Sequence, residues 1–142
     1  MDYRINNEAI VACVIAQVVK RGPYDIPIVV GAVNLLMRKK FRKKALTTSG
    51  DNVKELTMIF GQLDGSLLGV ILNSMTMLIE GGCMQKADGK LVLTDSGQEL
   101  CQEMIGGESK MLNDVLNDMD QILFKYECVD LKKLYQQFWI AS

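Results

Sequence analysis

The chain has 142 residues, 49% of them hydrophobic, with 16 Lys and Arg against 17 Asp and Glu. This length predicts one domain, the hydrophobic fraction excludes a disordered tail, and a formal charge of −1 gives no global attraction to nucleic acid. The sequence contains no histidine, the commonest general base, zinc ligand and pH-sensing side chain. The composition therefore argues against an enzyme and against a cofactor, and it favours a helical packing or partner-binding protein.

The four cysteines are scattered along the chain and none belongs to a C-x-x-C pair; they are Cys13, Cys83, Cys101 and Cys128. Without histidine, a zinc site would need all four from separate elements, so we expect free thiols in a reducing cytosol and no metal. Charged residues at positions 2, 4 and 8 interrupt the N-terminus, which argues against a secretory signal. The longest uncharged stretch, residues 65–79, is too short for a bilayer. The sequence predicts a cytoplasmic protein with no membrane partner.

Two strongly apolar helices are predicted in the first forty residues. Asn6 or Asn7 can cap the first, and residues 9–19 then place apolar side chains on nearly every face. The β-branched residues of this run also suit a strand, although its length and the preceding Asn favour a helix. Asp25 is the predicted cap of the second helix, whose apolar run is 28–37. Such helices must lie deep in the protein or be covered by a partner.

Six cations in seven residues follow the second apolar run, and they are Arg38, Lys39, Lys40, Arg42, Lys43 and Lys44. They are candidate residues for binding a phosphate backbone or an acidic partner surface. A solvated helix end, where cations offset the helix dipole, explains them equally well.

Charge is also segregated along the chain. Residues 1–54 contain ten Lys and Arg and four Asp and Glu, a balance of +6, whereas residues 95–130 contain two and nine, a balance of −7.

The acidic C-terminal part predicts further helices. Residues 109–126 place apolar side chains along one stripe, and Asp130 is the predicted cap of a final helix. Asp114 and Asp118 have helical i,i+4 spacing. Acidic pairs of this kind are ordinary on a solvated helix face, so we expect no metal-binding or acid–base role for them.

The middle of the chain predicts a helix, a turn, a helix, a hairpin and a helix. The three helices are expected at residues 53–60, 66–80 and 94–105. Gly81-Gly82 ends the second helix, Asp88-Gly89 marks a tight hairpin turn, and Thr94 caps the third helix. The spacings Leu78-x-x-x-Gly82 and Leu93-Thr94-x-x-Gly97 resemble winged-helix families. The resemblance implies a mainly α (α+β) fold, with a winged-helix-like core and extra helices at both ends.

A winged helix suggests DNA binding, but the helix that would enter the major groove has no Lys or Arg. The only amide side chain in residues 66–80 is Asn73, and the wing offers only Lys86 and Lys90, which flank Asp88. Phosphate contacts supply most non-specific affinity for DNA. We therefore expect this helix to pack against protein, and a winged-helix DNA-binding transcriptional regulator is the alternative interpretation.

The order of segments resembles a more particular family. Asn7-Glu8-Ala9 opens the first apolar helix, a second apolar helix with Pro27 ends in the basic residues 38–46, and the winged-helix-like segment follows. This layout is similar to the small middle component of bacterial three-component ABC ATPase defence systems of the Lamassu type. The resemblance does not extend to the acidic C-terminal helices. It implies a non-catalytic accessory subunit that bridges an SMC-like ATPase and a nuclease effector in an anti-phage complex, with DNA engaged through the complex.

The predicted organisation is a single domain of residues 1–142. Within it, residues 1–50 form the apolar helical pair and the basic segment, and residues 53–105 form the winged-helix-like core. Residues 106–142 then contribute the C-terminal helices. No linker-like or low-complexity tract separates these parts.

Overall fold

The computed structural model describes residues 3–48, 54–55, 58, 65–105 and 110–125. Within these ranges the protein is mainly helical with a small antiparallel sheet, which confirms the predicted fold class. The elements are α1 (Tyr3–Arg21), β1 (Tyr24–Asp25), α2 (Ile26–Leu36), α3 (Lys39–Thr47), α4 (Gly65–Glu80), β2 (Met84–Ala87), β3 (Lys90–Leu93), α5 (Asp95–Ile105) and α6 (Lys110–Lys125). Residues 54, 55 and 58 of the predicted helix 53–60 are helical. The rest of that helix, Cys128 and the helix expected after Asp130 lie outside the described residues.

The two apolar helices are buried by the chain itself. Every residue from 28 to 36 in α2 is buried, and α1 contributes Val11, Val14, Ile15 and Val18 to the same core. The expected cap at Asn6 or Asn7 was wrong, because α1 already begins at Tyr3. Asp25 does occupy the N-cap position of α2, although its side chain makes no capping hydrogen bond. The apolarity of both helices is thus explained by the fold and requires no partner.

The sheet joins distant parts of the chain. β1 pairs antiparallel with β3, which also pairs with β2, so the strand order is β1-β3-β2. α1, α2 and α4 pack on one another beside this sheet. Residues of the predicted segment 1–50 thus pack directly against residues of the predicted winged-helix-like segment 53–105. The missed element is β1, whose two residues are too few to show a strand periodicity.

The hairpin and the helix end before it follow their predicted signals. Asp88 and Gly89 have positive φ angles of 54° and 77°, as a two-residue type I′ turn requires. Gly82 has φ 79° and ends α4, and the amide of Cys83 donates to the carbonyl of Leu78 at 2.9 Å. This is the Schellman arrangement, which satisfies a carbonyl at the helix end.

Thr94 and Gly97 join the wing to α5. The Thr94 hydroxyl donates to the Gly82 carbonyl and accepts from the Gly97 amide at 3.3 Å, which confirms Thr94 as the helix cap. A Cβ atom at Gly97 would overlap with the carbonyl oxygen of Cys83. In the Leu-x-x-x-Gly spacing, Gly82 thus allows the left-handed backbone conformation at the helix end. In the Leu-Thr-x-x-Gly spacing, Gly97 allows two backbone segments to approach closely.

α3 and α6 form a second helical pair beside the core. The second apolar run ends at Leu36, and the basic segment forms α3 as a separate helix. α3 packs against α2 and α6. The predicted stripe of α6 is confirmed, with Leu112, Val115, Met119 and Ile122 buried. No helix in the described ranges has the length and apolarity needed to cross a membrane.

Candidate functional site

Arg42, one of the six cations predicted to contact a partner or a phosphate, is buried. Its side chain is 4% exposed. The guanidinium donates from Nε to Asp118 at 2.6 Å, from Nη2 to Asp114 at 2.6 Å and from Nη1 to the Leu36 carbonyl at 2.7 Å. All three guanidinium nitrogens therefore donate hydrogen bonds within the chain, and Arg42 does not present its charge to a partner.

Lys43 completes the arrangement, which we call the α3–α6 ionic cluster (Arg42, Lys43, Asp114 and Asp118). The Lys43 ammonium lies 2.7 Å from Asp118 and 3.2 Å from Asp114. Its hydrogen bond lowers the pKa of Asp114, and the hydrogen bonds to Asp118 and Asp114 raise the pKa of Lys43. Opposite charges at hydrogen-bond distance favour the charged form of each group.

The ionic cluster corrects two sequence expectations. Asp118 is not on a solvated face, since its side chain is 6% exposed and accepts from Arg42 and Lys43. The positive charge of the N-terminal part and the negative charge of the C-terminal part pair within the chain, because the basic helix α3 packs against the acidic helix α6. A further pair, Arg21 with Asp120, joins α1 to α6 in the same way. Charge segregation along the sequence therefore gives no argument for an acidic partner.

The other four cations differ in their local contacts. Arg38 donates to the Asn34 carbonyl at 3.2 Å and lies over the Phe41 ring at 4.2 Å. Lys44 lies 3.5 Å from Glu55. Lys39 and Lys40 are exposed and make no ion pair with the described residues. Of the six predicted residues, these two lysines are the ones best placed to meet a phosphate or an acidic group.

The outward side of α4 is exposed and has no cation. We call this surface the α4 face, and its exposed residues are Ser66, Gly69, Leu72, Asn73, Thr76 and Met77. Leu72 is 43% exposed and Met77 is 65% exposed. The Thr76 hydroxyl donates to the Leu72 carbonyl at 3.0 Å, so its proton is used within the helix. The α4 face is thus a neutral surface with two large apolar side chains.

Two open grooves meet on α4. One, of about 600 Å³, follows the α4 face from Ser66 to Thr76. The other, of about 570 Å³, lies between the C-terminal half of α4 and strand β2. We call the second one the wing groove; its lining includes Thr76, Ile79 and Glu80 from α4 and Met84 and Lys86 from β2. Thr76 lines both grooves.

The described residues show no cluster suited to holding a metal ion. No group of three His, Cys, Asp or Glu side chains in these ranges is placed to hold a metal ion. Cys13, Cys83 and Cys101 are free thiols, and burial raises the pKa of Cys13 and Cys101. A raised pKa favours the neutral thiol, which is the unreactive form. The exposed surface of α4 and the two grooves beside it are the candidate sites among the described residues.

Comparisons with protein-family models, with curated proteins and with solved structures gave no significant match to this chain.

Proposed function

We propose that this chain is a non-catalytic accessory subunit that binds a partner protein through the α4 face. One observation carries the proposal: the helix in the groove-reading position of a winged helix exposes Leu72 and Met77 and no cation. Reading DNA from this position requires side chains that reach phosphates and base edges. A neutral face with apolar anchors instead suits a protein interface, where Met and other large apolar side chains are enriched and charge is depleted.

The shape of the α4 face also suits a protein partner. Ser66 and Gly69 lie one helical turn apart at the N-terminal end, and a Cβ atom at Gly69 would meet nothing within 4 Å. A partner backbone can therefore approach closely there, while Leu72 and Met77 cover its apolar side chains. Burying apolar area contributes roughly 25 cal/mol per Å², so the two side chains can supply much of the affinity.

The proposed partners come from the layout of the sequence. Its similarity to the middle component of Lamassu-type systems suggests an SMC-like ATPase and a nuclease effector, in a cytoplasmic anti-phage complex. In this role the chain contributes contacts and no catalysis. The α4 face supplies one of the two contacts that bridging requires.

Co-purification tests the proposal. The genes beside that of this chain are first searched for an SMC-like ATPase and a nuclease effector. These are co-expressed with the chain, and the complex is isolated through a tag on the ATPase. We expect the parent chain to be retained and the Leu72→Ser/Met77→Ser variant to be lost from the complex. Gln98→Ser/Gln102→Ser on α5 is the matched control, since it also changes two exposed side chains and should be retained. Absence of such neighbouring genes, or retention of the α4 variant, would contradict the proposal.

A gel-shift experiment distinguishes the alternative, a DNA-binding regulator. The purified chain is titrated into duplex DNA at low salt, with Asn73→Ala and Thr76→Ala as variants of the α4 face. We expect weak binding that neither substitution changes, because phosphate contacts dominate non-specific affinity. Sequence-specific binding that is lost in either variant would favour the regulator.

A further inference from the structure

The α4 face has a recess in its N-terminal half and a projecting apolar side chain in its C-terminal half. Ser66 and Gly69, which carry little or no side chain, line the groove of about 600 Å³ along this face. A Cβ atom at Gly69 would meet nothing within 4 Å, so the recess is open there. Met77 is 65% exposed, more than any other exposed large apolar side chain that the structure describes. One face therefore contains both a recess and an apolar side chain of a size to fill it.

The recess and Met77 lie at similar distances from the middle of α4. The midpoint of the helix falls between Leu72 and Asn73. Gly69 lies about 5 Å before this point and the Cα atom of Met77 about 7 Å after it, at a rise of about 1.5 Å per residue. Side chains of a helix lean toward its N-terminus by about one residue, which brings the Met77 side chain to about 5 Å from the midpoint. The two features are therefore equidistant from the centre of the helix.

The recess and Met77 also lie on one flank of the α4 face. Successive residues of an α-helix are turned by about 100°, so Met77 is about 20° from Ser66 and about 40° from Asn73 around the helix axis. Leu72 is about 140° from Met77 and occupies the other flank. A two-fold axis between two antiparallel helices exchanges their ends and keeps each flank on its own side. A second copy placed in this way presents Met77 to the recess and Leu72 to Leu72.

We propose that the free chain forms a homodimer in which two copies of α4 pack antiparallel through their α4 faces, about a two-fold axis at the helix midpoint. Met77 of each copy enters the recess at Gly69 of the other, and the two Leu72 side chains meet beside the axis. A two-fold interface uses one patch on both copies, so the patch has to be complementary to itself. The α4 face meets this condition, because it contains both the recess and the side chain that fills it.

The charge pattern of α4 also suits a second copy. A charged side chain near the axis of a two-fold interface meets its own copy, and like charges in contact oppose association. Residues 65–79 contain no charged side chain, and Glu80 is at the far end of the helix. In the antiparallel pair the two Glu80 residues are about 22 Å apart along the axis, well beyond the Debye length of about 8 Å at physiological salt. Like-charge repulsion within α4 therefore does not oppose the pairing.

The size of the contact predicts a weak dimer that exchanges with the monomer. A helix of 16 residues is about 24 Å long and about 10 Å wide, so the pair buries less than the roughly 800 Å² per partner of a standard stable interface. The inference deepens the proposed function and rests on it for one point, that a partner protein binds the same face. Self-association then covers Leu72 and Met77 in the free chain, and the partner displaces the second copy.

Sedimentation velocity of the purified full chain, in a reducing buffer and over a concentration series, tests the dimer. We expect the parent to show a monomer–dimer equilibrium at concentrations up to about 1 mM. Gly69→Met fills the recess, and Met77→Ala removes the side chain that enters it, so each should raise the dissociation constant about tenfold or more. Gln102→Met is the matched control. It adds the same side chain to the exposed side of α5 and should dimerise like the parent.

Mixing the two variants separates this interface from any other mode of association. In the mixed dimer the methionine introduced by Gly69→Met faces the space left by Met77→Ala, and the second contact between the copies is the native one. We expect the equimolar mixture to associate within about threefold of the parent, although each variant alone is weakened. A contact elsewhere on the chain would give no such recovery.

Three results would overturn the proposal: a parent chain that stays monomeric, a Gly69→Met variant that dimerises like the parent, or a mixture that associates no better than its components. Circular dichroism establishes that each variant is folded, and Ser66→Met, which fills the same recess, replaces Gly69→Met if that variant is not. The measurement uses the chain alone. Its failure is therefore distinguishable from failure of the co-purification that tests the proposed function.

Discussion

Arg42 on α3 and Asp118 on α6 are 76 residues apart in the sequence and 2.6 Å apart in the structure, with side chains only 4% and 6% exposed. Burial of two charges is costly, and it is tolerated when hydrogen bonds satisfy both partners. Here Asp114, Lys43 and the Leu36 carbonyl complete the set. The pair joins the basic segment to α6 and thus connects two helices that pack beside the core.

Removing one partner of this pair should destabilise the protein strongly. We expect Arg42→Ala to lower the free energy of unfolding by about 3 kcal/mol, because Asp118 keeps its burial and loses its main partner. Urea denaturation measures the change. Lys40→Ala, an exposed neighbour on the same helix, is the control and should change stability by less than about 0.5 kcal/mol.

The double variant tests whether the Arg42 effect comes from the pair. Arg42→Met/Asp118→Leu removes both charges and fills the site with apolar side chains, which is often close to neutral for a buried ion pair. We expect it to regain more than half of the stability lost in Arg42→Ala. Equal losses in the single and double variants would show that another contact is responsible.

Asp114 should make stability depend on pH in the acid range. The pKa of Asp114 in the folded chain is lowered from 3.8. The ionised carboxylate therefore adds to the free energy of unfolding above pH 3.8, and this contribution is lost as the pH falls through the lower pKa of the folded chain. We expect Asp114→Asn to be less stable than the parent at pH 7 and the difference to vanish at low pH. Denaturation series between pH 7 and pH 2 measure this. A difference that stays constant with pH would contradict it.

Two helical glycines should respond to alanine in opposite directions. Gly97→Ala places a methyl group against the Cys83 carbonyl, so we expect a loss of about 2 kcal/mol in unfolding free energy. Gly69→Ala is the matched control, because a methyl group there meets nothing within 4 Å. It should stabilise by about 0.5–1 kcal/mol through helix propensity. Thermal melts show whether each variant is more or less stable than the parent. A Gly97→Ala variant more stable than the parent would contradict the close contact between Gly97 and the Cys83 carbonyl.

The remaining basic surface is tested by charge reversal at Lys39 and Lys40. Both are exposed, so Lys39→Glu/Lys40→Glu should keep the fold. If these lysines contact phosphates, the variant should lose affinity for duplex DNA and reduce the log–log salt slope by about 0.9 per contact. If they contact an acidic protein surface, the variant should slow association with that partner. Unchanged binding in both assays would assign the two lysines to a solvated helix end.

Local signals in the sequence predicted much of the fold. The Gly81-Gly82 helix end, the Asp88-Gly89 turn and the Thr94 cap depend on a few adjacent residues, and the structure has all three. The stripe of α6 was equally readable from its spacing. By contrast, the pairing of β1 with β3 was missed, because a two-residue strand acquires its structure only from a distant partner.

The candidate site was less predictable, since burial of charge is a property of the folded chain. For the cluster 38–44 the sequence left open a phosphate contact, an acidic partner or a solvated helix end, whereas Arg42 lies against Asp118 in the interior. The i,i+4 spacing of Asp114 and Asp118 beside adjacent Arg42 and Lys43 was a usable signal, but nothing in one sequence shows that those helices meet. The absence of cations on residues 66–80 was correctly read, because it depends on composition alone.

The pairing of β1 with β3 has a consequence during synthesis on the ribosome. α1, β1 and α2 leave the ribosome before the α4 and β3 residues against which they pack. Translation at about 5–20 residues per second leaves their apolar surfaces unfinished for several seconds. In a ribosome-stalled series, chains that end before residue 80 should bind a hydrophobic-surface chaperone, and chains that extend past β3 should release it. We therefore expect the chain to depend on the folding machinery until β3 has been synthesised.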